Sequence, residues 1–138
     1  MYLIGFPLLV IPFALYNMIA FITPGVSWTD SMMTINMPSG QAWTLTPQDF
    51  LITLAVLLLP LEILKATRIG TRSIVDHVLS MALFVVMLIE FLLVRQAGTS
   101  TFFILMMISL VDVIAGFTVT LRTAQRDMTI EKFEAASS

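Results

Sequence analysis

The chain has 138 residues, 58% of them hydrophobic and 12% charged, with no cysteine and a net charge of −2. Surface-to-volume scaling leaves a soluble domain of this size too little interior for so much apolar side chain, so the composition points to one membrane-embedded domain. Without cysteine there are no disulfides, thiolate metal sites or cysteine nucleophile, and the slightly acidic balance provides no basic field for nucleic acid.

Four apolar stretches, about 2–22, 48–66, 76–94 and 102–121, each match the ~20 residues that cross a ~30 Å hydrocarbon core. The first carries Pro7 and Pro12. Pro12 has no N–H to offer the Leu8 carbonyl, which predicts a kink, and Pro24-Gly25 predicts the end of the helix. The first Lys or Arg is Lys65, so the basic region of a signal peptide is missing and the stretch reads as a retained span.

The segment 23–47 predicts a short β-hairpin. Residues alternate on each side of Pro38-Ser39-Gly40, where Pro at the second turn position and Gly at the fourth suit a type I turn with a Gly bulge. Met33, Ile35 and Met37 share a face, opposite Trp43 and Leu45. Trp28 and Trp43 are expected at headgroup level. A lone hairpin is marginal in water, so it is expected to pack on the helices or on another protein.

Thr46-Pro47-Gln48-Asp49 is a helix-start signal, with Thr46 as N-cap, Pro47 at the first helical position and Asp49 completing a capping box. Pro60 is expected to interrupt the second span near its inner end. Five residues, Gln96 to Ser100, join the third and fourth spans, short enough to require an antiparallel helical pair. The fold class is therefore an all-α membrane protein of two helical hairpins, 1–122, with a β-hairpin in the first outer loop. A tail at 123–138 should extend the last helix by a turn or two before fraying.

Six of the seven basic residues, Lys65, Arg68, Arg72, Arg122, Arg126 and Lys132, fall on one side, against Arg95 on the other. By the positive-inside rule the first group is cytoplasmic, which places both termini inside and predicts a bacterial inner-membrane location.

Polar residues within the spans are the functional candidates, because ionisable groups in lipid are costly. Asp112 lies about 15 Å into the fourth span, near the midplane, with no Lys or Arg deep enough to neutralise it. Glu90 and Asn17 lie at similar depths and are expected to hydrogen-bond. Glu62 and Lys65 form an i,i+3 pair. On the third span Asp76, Ser80, Leu83, Met87 and Glu90 share a face. On the fourth, Leu105, Asp112 and Gly116 do, with Ser109 at its margin. Small and polar stripes mark protein-facing sides, so Trp28, Trp43, Ser80, Ser109 and Gly116 are interface candidates.

Glu62, Arg72, Asp76 and His77 gather near the inner boundary, where such clusters hold quinone or lipid headgroups. His77 is the only histidine, too few for a multi-His metal site. Met32, Met33 and Met37 read as apolar packing in preference to a Cu(I) site. No catalytic triad, phosphate loop or metalloprotease motif occurs, so neither enzyme activity, bound cofactor nor metal is expected.

In its layout of four spans and a β-like first outer loop the chain resembles claudin-type proteins, yet it lacks the loop cysteines of that family and its loop is shorter. In size and topology it also resembles small membrane subunits of bacterial transporters and of respiratory or photosynthetic complexes. The leading expectation is a non-enzymatic accessory subunit of a larger inner-membrane complex, with lipids and other subunits as partners. The alternatives are a homo-oligomeric proton- or cation-coupled carrier using the intramembrane carboxylates, and a quinone- or lipid-binding protein.

Overall fold

The computed structural model describes residues 6–67 and 71–137. Helices α1 (Val10–Ile22), α2 (Pro47–Lys65), α3 (Thr71–Leu93) and α4 (Ser100–Ser137) follow in chain order, with strands β1 (Met33–Asn36) and β2 (Ala42–Leu45) between the first two. A single 3₁₀ turn, Arg95–Ala97, links α3 to α4. α4 packs against both α2 and α3, and α1 lies mainly on α2.

Three segments are long and apolar enough to cross a membrane: Pro47–Lys65, Ile74–Leu93 and Ser100–Val119. Only 17%, 22% and 33% of their residues are buried within the chain. Surfaces bearing exposed Leu57, Leu64, Leu92 and Ile114 suit hydrocarbon as solvent and would be untenable in water.

The first stretch departs from expectation. α1 has 13 residues, about 20 Å by helical rise, which falls short of the hydrocarbon thickness. It starts at Val10, so Pro12 occupies the first turn, where an N–H has no intrahelical acceptor. The expected kink is thereby replaced by a helix start. Even so, the chain from Phe6 to Trp28 runs the length of α2. Leu8 N–H donates to Glu62 at one end, and Gln48 N–H donates to the Trp28 carbonyl at the other (3.1 Å).

α2 opens on the capping box read from the sequence. Asp49 N–H donates to Thr46 Oγ1 and Thr46 N–H to Asp49 Oδ2, each at 3.2 Å. Pro60 does not interrupt this helix, which continues through it to Lys65. One lost bond to the Val56 carbonyl is a local cost that a packed membrane helix tolerates. α4 differs most from expectation, running 38 residues without a break, so the tail forms about four further helical turns instead of one or two.

The β-hairpin forms as read. Met33 pairs with Leu45 and Ile35 with Trp43. The turn closes with Gly40 N–H donating to the Met37 carbonyl (2.9 Å) and Met37 N–H to the Gln41 carbonyl (2.9 Å). Gly40 sits at φ +88°, the left-handed conformation that a Gly bulge demands. The hairpin does not lie on the helices: every strand residue except Leu45 is exposed.

The core is a stack of Tyr16, Trp28, Leu51, Ala55, Leu83, Met87, Phe102, Leu105 and Met106. Trp28 is buried within the chain (8% exposed), stacked on Tyr16 with ring centroids 4.4 Å apart. The Tyr16 ring also meets Phe102 edge-on at 5.0 Å. Its hydroxyl donates to the Gln96 carbonyl (2.6 Å) and contacts Thr99 Oγ1 (2.7 Å). One side chain of α1 thus ties together the Trp28 loop, the 3₁₀ turn and the start of α4.

Candidate functional site

Two polar clusters lie at opposite ends of the bundle. At the basic end, Glu62, Ala66, Asp76, His77, Ser80, Asp112 and Gly116 line a crevice with room for about one water molecule. α2 supplies Glu62, α3 supplies Asp76, His77 and Ser80, and α4 supplies Asp112 and Gly116. They meet because each helix presents its polar stripe inward: Glu62, Asp76, Ser80 and Asp112 are all at least nine-tenths buried.

The electrostatics of this cluster are uneven. Lys65 Nζ donates to Glu62 Oε1 at 3.2 Å and to the Phe6 carbonyl, while Glu62 Oε1 also accepts the Leu8 N–H. The expected ion pair exists, and it additionally grips the main chain preceding α1. Asp112 has the Ser80 hydroxyl as a hydrogen-bonding neighbour and feels the charges of both Glu62 and Lys65. Among the described residues the Lys65 ammonium pairs with Glu62 and not with Asp112. Asp112 lies 7 residues from Val119 and 12 from Ser100, the ends of its apolar window, and shares the crevice with Glu62 and Ser80. Asp76 is different again, since among the described residues neither of its buried oxygens has a partner.

The His77 ring sits 5.5 Å from that of Phe117. Gly116 lets α4 approach, since a Cβ there would lie 3.8 Å from both Ala66 Cβ and His77 Nδ1. The Arg72 side chain, grouped with this cluster on sequence grounds, lies outside the described residues. Among the described residues no three His, Asp or Glu side chains converge as metal ligands. The enclosed space is also far below the ~300 Å³ at which pockets for ring-sized ligands begin.

At the hairpin end, half-buried Glu90 has Asn17 as a hydrogen-bonding neighbour and the Tyr16 hydroxyl nearby, and its Oε2 is buried without a further partner. Asn17 also donates to the Phe13 carbonyl (3.1 Å). From Ser80 to Glu90 is about 15 Å along α3. Buried Leu83, Met87, Leu105 and Met106 occupy the interval, so among the described residues no polar path joins the clusters. Ser109, one turn from Asp112, is buried with its hydroxyl unpartnered.

Of the interface candidates, Ser80, Ser109 and Gly116 are buried inside the bundle, as is Trp28. Trp43 remains exposed. Sequence reasoning missed Tyr16; the available signal was an aromatic with a polar tip near the outer end of an apolar stretch. It also missed the clamp on the residues before α1, because local spacing reveals side-chain pairs but not distant main-chain partners. No protein-family model matches the chain, and no curated protein or solved structure is detectably similar to it.

Proposed function

We propose that this protein is a non-enzymatic accessory subunit of a larger inner-membrane complex, held by four membrane-crossing segments with both termini cytoplasmic. The segment from Phe6 to Trp28, clamped along the whole of α2, serves as the fourth crossing. The observation that carries the reading is the outer hairpin, whose Met33, Ile35, Met37 and Trp43 are all exposed. A two-stranded sheet with both faces and both edges bare is marginal alone, and such edges are templates for a partner.

Native mass spectrometry of the gently solubilised protein is expected to show a heteromeric assembly of fixed stoichiometry. Replacing the cross-strand pair Ile35 and Trp43 by Asp should weaken that assembly at least about thirtyfold, the effect of losing a ~2 kcal/mol aromatic anchor. A lone monomer, or an assembly indifferent to the double substitution, would end this reading.

A second reading is favoured by the crevice at Asp112: a homo-oligomeric carrier coupled to protons or cations, completed between subunits. It predicts flux in proteoliposomes that Asp112→Asn abolishes while oligomer size and expression persist. Unaltered flux in Asp112→Asn, or none in the parent protein, would dismiss it.

A further inference from the structure

Among the described residues, the carboxyls of the basic-end crevice outnumber the cationic groups that face them. On α2, Glu62 is answered by Lys65, whose ammonium is already engaged by Glu62 and the Phe6 carbonyl. On α4, Asp112 has the Ser80 hydroxyl. On α3, Asp76 is 7% exposed and lines the crevice, and among the described residues neither of its oxygens has a donor. A buried carboxylate with two empty acceptors is costly unless something supplies hydrogen bonds and positive charge together.

The size and shape of the space restrict what can do so. It accommodates a group no larger than a water, and among the described residues the His, Asp and Glu side chains do not converge as metal ligands. An ammonium fits both limits. It is water-sized, carries three N–H donors and no acceptor, and forms charge-assisted hydrogen bonds to carboxylates without needing a metal's short, regular shell. The chain uses the same group for Glu62 through Lys65.

We propose that the crevice binds a primary ammonium group, donated to Asp76 and Asp112, with Ser80 and His77 forming its wall. An aminophospholipid headgroup and a small free amine share this chemistry. The proposal is independent of the subunit reading above, since it concerns a site that the outer hairpin does not touch.

His77 is the single histidine, so ¹⁵N-histidine labelling gives one imidazole reporter at the crevice. In detergent at fixed pH and ionic strength, ethylammonium chloride should shift this signal saturably, whereas tetramethylammonium chloride, which has no N–H, should not. Asp76→Asn should weaken the response about tenfold, the loss of one charge-assisted bond. Asp112→Asn should weaken it as well, and Glu90→Gln, at the far end, should leave it intact.

Native mass spectrometry from mixed vesicles separates the two sources. Phosphatidylethanolamine retained over phosphatidylcholine, and lost in Asp76→Asn, assigns the lipid; equal retention beside a saturable ethylammonium shift assigns a free amine. Absence of any ethylammonium shift, an equal shift with tetramethylammonium or sodium, or a response unchanged in Asp76→Asn would each overturn the proposal.

Discussion

Tyr16→Ala is expected to destabilise the bundle by about 3–5 kcal/mol, the range for removing a fully enclosed large aromatic. The side chain is 0% exposed, so the vacated space has no surface from which to refill. Its loss would remove the stack on Trp28, the edge contact with Phe102 and the hydroxyl bond to the Gln96 carbonyl. Tyr16→Phe separates these contributions, since the rings stay packed and only the hydroxyl bonds go, at about 1–2 kcal/mol. Equilibrium unfolding in mixed micelles, followed by far-UV circular dichroism, measures both. The chain has two tryptophans, so Trp28 fluorescence in a Trp43→Phe background reports the stack directly and should shift to the red in Tyr16→Ala alone. A cost below about 1 kcal/mol for Tyr16→Ala would refute its role as the tie between α1, the 3₁₀ turn and α4.

Lys65→Met should cost about 3 kcal/mol, because it strands Glu62 as a buried charge and frees the Phe6 carbonyl. Surface ion pairs contribute far less, but these partners are 9% and 5% exposed, which places them in the buried regime. Replacing both, as Glu62→Leu with Lys65→Met, should cost less than Lys65→Met alone, since no uncompensated charge then remains. The same unfolding assay applied to both single variants and the double variant closes the cycle. Additive costs would mean that the pair is solvated and that the segment before α1 is held by something else.

Much of this architecture is written in local chemistry. The α2 capping box and the Pro38-Ser39-Gly40 turn rest on neighbouring residues whose backbone needs are fixed by residue type, and both form as read. The facing stripes of α3 and α4 were equally accessible. Ser80 and Asp112 lie sixteen residues either side of Gln96, so a short antiparallel connection brings them level. Counting depth along each span separately does not by itself display that pairing. The misread elements depend on context. Pro7 and Pro12 look alike as breakers until the helix start is known, and Pro60 is carried by packing that no local pattern encodes. The burial of Trp28 against Tyr16 likewise depends on a partner that no local pattern supplies. The topology alone gathers Glu62, Asp76 and His77 at the inner boundary, but the entry of Asp112 and Gly116 into that cluster depends on how α4 packs against α2 and α3.

α4 does not stop where its apolar window stops. Beyond Val119 it continues 18 residues to Ser137, about 27 Å by helical rise. Because the hydrogen-bond ladder is continuous, the angular position of Phe133 is locked to that of Asp112, as two marks on one shaft. Any twist or piston displacement of the bundle that accompanies occupancy at Asp112 would be delivered undiminished to whatever grips the distal end.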